Sequence, residues 1–294
     1  MDRAEFLTSS FAAIAAASLP QTQQVAGGKT FIVPFASAPY PHASRANGHT
    51  YEGKLYDAAT HYSDSSVGIF VPDSWHPENG AIDLIVHFYG WRHDVRSTLS
   101  TYHLREQLIA SKRNAILVVP TGPANAPDSG DGKLELDDNG FARFITDVCA
   151  WLQRSGVSPV NAPGRIVLTA HSGGYGGAGG VLTRGGMNER ITDVVLFDSA
   201  YGYFDAFAAW ARGANSHFLS IFTDDTVTGN VTIMGMLQAQ MPNSYVWLAK
   251  DLTAERLLTR DATFILTNDV AHDDLLTHDS WYASFLQTTA LAQL

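Results

Sequence analysis

The chain has 294 residues, 45% of them hydrophobic, which is enough to bury a sizeable core, and no internal repeat is visible. A formal net charge of −10, from 19 Lys and Arg against 29 Asp and Glu, argues against nucleic acid or an anionic membrane surface as a partner. The single cysteine, Cys149, excludes an internal disulfide and a cysteine-rich metal site.

Residues 1–26 differ from the rest in composition. Phe6 to Leu19 is small, apolar and alanine-rich, and Pro20-Gln21-Thr22-Gln23-Gln24 follows, the layout of a secretory signal with a cleavage zone near Ala15 to Ala17. Asp2-Arg3-Ala4-Glu5-Phe6-Leu7 is similar to a twin-arginine signal without its second arginine, while Asp2 and Glu5 leave this region less positive than a signal requires. Export to the periplasm or the extracellular space is the expectation; the alternative is an amphipathic N-terminal helix on a cytoplasmic protein. Residues 27–294 are expected to form one domain, and no other segment reaches the roughly 18 apolar residues of a membrane span.

Gly27 to Gly53, rich in Pro, Ser, Ala and Gly, reads as an extended lead-in. Ser66 to Trp75 alternates like an early edge strand that ends at Pro72-Asp73. Ile82 to Trp91 is continuously apolar at its centre, as in a strand covered on both faces, and stops at Tyr89-Gly90-Trp91. Val95 to Lys112 carries spaced apolar residues (Leu99, Tyr102, Leu108, Ile109) and reads as a helix. Ala115 to Val119 is a short buried strand closed by Pro120, which completes a β-α-β unit and implies a parallel neighbour.

Thr121 to Asn139 reads as a long solvated loop shaping a cleft at the carboxyl edge of the sheet. Its acids Asp128, Asp131, Asp137 and Asp138 do not follow an EF-hand spacing, and no metal is assigned to them. Phe141, Phe144, Ile145, Val148 and Leu152 follow helical spacing, with Asp138 or Asn139 in capping position and Gly156 at the end. Cys149 falls on the apolar face of this helix, as an inert buried thiol.

Ile166, Val167 and Leu168 then form a β-branched apolar run that ends at His171-Ser172-Gly173-Gly174. A serine thus stands where a strand gives way to a helix. In Ala170-His171-Ser172-Gly173-Gly174, small residues lie two positions before and two after Ser172, the spacing of the nucleophile elbow G-x-S-x-G with alanine for the first glycine. Further on, Ile191 to Phe197 is a strand delivering Asp198, Phe204 to Ala211 a short helix, and Phe218 to Phe222 a strand delivering Asp224 and Asp225. Ala262 to Leu266 is the last strand, followed by Val270-Ala271-His272-Asp273, and Trp281 to Leu291 closes as a helix. Strands alternate with helices, and every polar candidate lies at a strand's carboxyl end.

The elbow in this context resembles the α/β-hydrolase superfamily of serine hydrolases. That resemblance implies an α/β-hydrolase fold, a mostly parallel central sheet with helices on both faces, and a carboxylesterase or lipase-like enzyme that forms an acyl-enzyme on Ser172 without metal or organic cofactor. A serine hydroxyl needs a base to take its proton and a carboxylate to hold that base. The superfamily's chain order implies His272 as the base, because it follows the final strand within a short loop. His278 comes six residues later, near the closing helix; His171 is expected to point away from the turn, and His87, His93 and His103 come too early.

Asp198, in Leu196-Phe197-Asp198-Ser199-Ala200-Tyr201-Gly202, is the preferred acid; Asp224, placed after the penultimate strand, is the alternative. By the same resemblance, His87-Phe88-Tyr89-Gly90-Trp91 supplies one oxyanion-hole N–H, that of Trp91, and Gly173 supplies the second. Trp75, Tyr89, Trp91, Tyr175 and Tyr201 line an apolar or sugar-stacking cleft or else belong to the core. The substrate is expected to be a small-molecule or polymer ester.

Two other readings remain open. One is a non-catalytic binding protein on the same fold. The other is a dinucleotide-binding oxidoreductase, since Gly174, Gly176 and Gly179 fit G-x-G-x-x-G and Asp198 ends the next strand. Its phase is poor, because His171, Ser172 and Gly173 stand between the strand and the first glycine. The six glycines from Gly173 to Gly180 have a simpler explanation in close backbone packing, which would offset a helix cost of up to about 1 kcal/mol each.

Overall fold

The computed structural model describes residues 21–213, 216–240, 246–249, 262–267 and 269–294. The signal-like run Phe6 to Leu19 lies outside the described residues. Gln21–Val25, within the segment set apart by composition, is β1 and pairs antiparallel with β2, Gly28–Pro34. The predicted lead-in therefore contains a sheet strand. It also contains the two-stranded hairpin of β3, His49–Tyr51, and β4, Lys54–Tyr56, which the short helix α1, Ala58–His61, follows.

The main sheet continues through β5, Ser66–Pro72, and β6, Ile82–Phe88. Beyond them come β7, Ile116–Pro120; β8, Pro163–His171; β9, Ile191–Phe197; β10, His217–Phe222; β11, Val246–Ala249; and β12, Ala262–Leu266. The ten strands lie in the order β1-β2-β5-β7-β6-β8-β9-β10-β12-β11. From β7 to β11 the pairings are parallel, whereas β1, β2 and β5 are joined by antiparallel ladders. β5 is not the expected edge strand. β2 covers its outer side, so its buried run Val67 to Phe70 sits inside the sheet. Val246–Ala249, unassigned from sequence, is a strand, so Asp224 does not follow the penultimate one.

Both faces of the sheet are covered, as continuous apolar strands require. On one face, the even residues of β6 and β8 (Leu84, Val86, Ile166, Leu168) pack with α5, Gly140–Arg154, α6, Tyr175–Arg184, α7, Phe204–Ala211, and α8, Val227–Gln240. On the other, Ile85, Val167 and Val195 pack beneath α2, Val95–Thr101, α3, Leu104–Ser111, and the final helix, Trp281–Leu286. The expected single helix over Val95 to Lys112 is broken at Tyr102-His103, where His103 adopts a left-handed φ of 49°. The closing helix ends at Leu286 rather than Leu291.

α5 buries the predicted face, including Cys149, whose thiol burial pushes up to about 12. Asn139 occupies its N-cap without a side-chain cap bond. The loop from Thr121 is not a solvated one. It folds into α4, Gly132–Leu136, and buries Asp128 and Asp131. Among the described residues no helix is long and apolar enough to cross a membrane.

The chain leaves β6 for β7 on one side and for β8 on the other, so strand order reverses around β6. Open α/β sheets form their ligand crevice at the carboxyl ends of strands at such a point.

Candidate active site

That crevice receives the loop after β6 and the turn after β8. Ser172 has a φ of 53°, in the left-handed region that costs a residue with a Cβ on the order of 1 kcal/mol, and a single 3-10 turn, Ser172–Gly174, carries the chain into α6. The side chain is thereby turned out of the strand and stands half-buried. Ser199 ties the turn to the next strand, its hydroxyl donating to the Ser172 carbonyl at 2.8 Å.

Gly90 lies against this turn. A Cβ there would stand 3.0 Å from Ser172 Oγ and 3.2 Å from the Gly173 nitrogen, so only glycine lets the β6 loop approach the hydroxyl and the amide together. Trp91 follows, its ring against Gly173, its indole N–H donating to Ser129 Oγ at 2.8 Å, and its ring in a T-shaped contact with Tyr51 at 5.1 Å. The two residues expected to donate to an oxyanion thus flank the serine.

A cavity of about 430 Å³ opens here, lined among others by Gly90, Trp91, Ser172 and His272. His272 begins a 3-10 turn shortly after β12, and its Nδ1 donates to Asp198 Oδ2 at 2.8 Å. The other ring nitrogen, Nε2, is left for the cavity. Asp198 follows β9 and is fully buried; besides His272 it accepts from the Thr223 amide at 3.1 Å and from the hydroxyls of Thr223 and Thr226. Burial alone would raise its pKa, but the hydrogen bonds from His272, Thr223 and Thr226 outweigh burial and hold the carboxyl below its usual range. On His272, burial works against the charged form, and the Asp198 bond with the charges of Asp198, Asp273 and Asp225 prevails, raising the imidazole pKa.

The structure brings Ser172, His272 and Asp198 to one crevice and leaves Asp224 out of it: Asp224 is exposed in the 3-10 turn Asp224–Thr226. Its neighbour Asp225 comes nearer, 3.8 Å from His272 Nδ1, but is itself exposed. His171 does not point away as expected. It is buried, donates from Nε2 to the His272 carbonyl at 3.1 Å and lays its ring 4.9 Å from the His272 ring. Burial and the facing His272 push its pKa down to about 4, so it stays neutral.

Tyr102, at the unforeseen helix break, packs on His171 at 5.1 Å and bonds His93 at 3.0 Å. Sequence reasoning missed the clamp of Thr223 and Thr226, whose signal was two hydroxyls three apart at the end of an adjacent strand. Of the five aromatics, Trp91 is at the cavity and Tyr201 reaches His272, ring to ring at 6.4 Å, with Tyr175 behind it. Trp75 packs on the core, and Tyr89 is buried, its hydroxyl accepting from the Gly122 amide.

The glycines of the turn and of α6 are packed against from outside. A Cβ on Gly174 would meet the Phe88 carbonyl at 2.3 Å, on Gly176 the Ser129 carbonyl at 2.0 Å, and on Gly179 the Tyr203 ring at 2.2 Å. No pyrophosphate can lie there, and Asp198 is committed to His272, which removes the dinucleotide reading. In the loop after β7, Asp128 is paired with Arg45 at 2.6 Å. Two triplets bring potential metal-ligand atoms within 4.8 Å: His171, His272 and Asp273, and Asp198, Asp225 and His272. Both draw on His272, so a metal held by either would take up the imidazole that stands at the Ser172 cavity.

No protein-family model and no curated protein matches the sequence. Among solved structures, the chain is similar to an S-formylglutathione hydrolase from Agrobacterium tumefaciens, with a TM-score of 0.50 and 12% identity over 90% of this chain and 98% of that one. It is also similar to the feruloyl esterase module from Clostridium thermocellum, with a TM-score of 0.49 and 10% identity over 76% of this chain and 82% of that one. A fluorophosphonate-binding serine hydrolase from Staphylococcus aureus gives a TM-score of 0.45 and 11% identity over 79% and 96%. At these identities the hydrolase from Agrobacterium tumefaciens establishes a shared fold, a large mostly parallel sheet flanked by helices.

Proposed function

We propose that the protein is a serine hydrolase of the α/β-hydrolase superfamily that cleaves esters through an acyl-enzyme on Ser172. The observation that carries the reading is the buried Asp198 holding His272 by Nδ1 at a cavity that Ser172 also lines. In this mechanism, His272 Nε2 takes the proton of Ser172 as its Oγ attacks the ester carbonyl. The alkoxide that develops on the carbonyl oxygen is met by the amides of Gly173 and Trp91, and His272 returns the proton to the leaving alcohol. Water then repeats the sequence on the acyl-enzyme. Asp198 stays ionised, fixes the tautomer with Nδ1 protonated and stabilises the imidazolium. No step requires a metal or an organic cofactor.

A fluorophosphonate probe tests the proposal directly. One covalent adduct is expected on Ser172, absent in Ser172→Ala, together with turnover of p-nitrophenyl esters. An intact protein that acquires no adduct supports a binding protein on the same fold instead. Comparing esters of increasing acyl length with peptide substrates then defines the bond and chain length accepted.

A further inference from the structure

A second cavity, of about 470 Å³, lies between the β1–β2 hairpin and helices α2 and α3 and shares no lining residue with the Ser172 cavity. Arg96 and Arg105 enter it from the first turns of the two helices, and among the described residues no carboxylate lines it. In a chain of net charge −10 this is a local excess of two positive charges.

Among the described residues neither guanidinium is satisfied by an acid. Arg96 donates to the Gln21 side-chain carbonyl. Arg105 donates from Nη1 to Thr30 Oγ1 at 3.3 Å, a long bond, and its Nε is buried with no partner. Among the described residues neither has a further hydrogen-bond or ion-pair partner. A buried charged donor left unmet, as Arg105 Nε is, is costly, and a planar fork of N–H groups suits oxygens of an oxyanion better than it suits a single hydroxyl.

The remaining wall fits the same ligand. Thr30 uses its oxygen to accept from Arg105, which leaves its O–H free to donate; Gln21 accepts from Arg96 through its carbonyl, which leaves its NH₂ to donate. Ile32 and Leu99 add an apolar strip, and the volume exceeds that of a bare inorganic anion. We propose that this cavity is a binding site for a phosphate group, free or carried by a small monoester, with Arg96 and Arg105 as its two arms.

The test is thermal unfolding of the full chain in potassium phosphate and in potassium chloride at equal ionic strength and pH 7. A ligand that binds only the folded state raises the melting temperature. The expected result is a saturable rise of several degrees in phosphate, lost in Arg105→Gln and in Arg96→Gln. Arg96 is exposed, so its variant keeps the test sharp should Arg105→Gln fold poorly. Phenyl phosphate is the second arm: saturation at lower concentration than with inorganic phosphate assigns the site to a monoester, and equal saturation assigns it to the free ion. Identical melting of the wild type in both salts, or an undiminished phosphate response in Arg96→Gln, overturns the proposal.

Discussion

Asp198 and Asp224 differ by one strand in sequence position but by their whole environment in space. Asp198 accepts four hydrogen bonds in a buried site, whereas Asp224 is exposed on the following turn. Asp198→Asn is expected to lower kcat by about 10⁴, the order seen when a triad acid is neutralised, and Asp224→Asn to stay near wild type, both measured on one p-nitrophenyl ester. On the proposed mechanism the pH profile follows from His272. A base must be neutral, and the raised pKa of this imidazole puts the acid limb of kcat/KM above its ordinary value of about 6.5. Because the charges of Asp273 and Asp225 contribute to that rise, Asp273→Asn should move the limb to lower pH; an unmoved limb would detach Asp273 from the base. At this scale much was legible. A serine between small residues after a β-branched run, an aspartate in a small and aromatic setting and a histidine after the last strand are local patterns. The threonine clamp and the stacking of His171 on His272 were not, because they depend on which strands become neighbours.

The helix after the elbow is shaped by what presses on it. Six glycines look like a poor helix, yet the carbonyls of Phe88 and Ser129, the backbone of Glu135 and the ring of Tyr203 occupy the places their Cβ atoms would take. Gly176→Ala puts a methyl 2.0 Å from a carbonyl oxygen that the backbone holds, and should destabilise by about 1–3 kcal/mol. Gly235 in α8 is the contrast: among the described residues nothing lies within 4 Å of its added Cβ, and Gly235→Ala should stabilise by up to about 1 kcal/mol. Urea midpoints at constant m distinguish the two. Close packing was foreseeable from the glycine run, but its partners were not. Apolar spacing also continued across Tyr102-His103, which hid the helix break: the left-handed residue there is a histidine, where sequence signals would lead one to seek glycine or asparagine.

Over the whole molecule, two fully buried histidines on one side of the sheet weigh on the response to mild acid. Burial holds His87 down to about 3, with the charges of His171 and His93 adding to it, and His171 down to about 4. Both are protonated near 6.5 once unfolded, so the unfolded chain binds more protons below that pH and stability falls as pH drops from about 6.5 towards 4. Each costs about 1.4 kcal/mol per pH unit in that window. His272, with its raised pKa, acts in the opposite sense, adding stability below about 6.5 that is lost as pH rises through its folded value. His93, whose pKa burial also lowers, acts with His87 and His171, and the three outweigh one, so chemical denaturation at pH 5 should give a clearly smaller unfolding free energy than at pH 7. The alternation of strands and helices, and the gathering of polar residues at carboxyl ends, was readable along the chain. The interior place of β5 was not, because it depends on the lead-in folding back as β2.

Trp91 carries one more consequence. Its indole is partly open to water, bonded to Ser129 and pressed against Gly173, which follows Ser172, so whatever becomes attached to that serine changes the surroundings of a fluorophore. The acylation proposed for Ser172 can therefore be sought by intrinsic emission in real time, without a chromogenic leaving group, and a Trp91→Phe protein, which retains the other five of six tryptophans, supplies the blank.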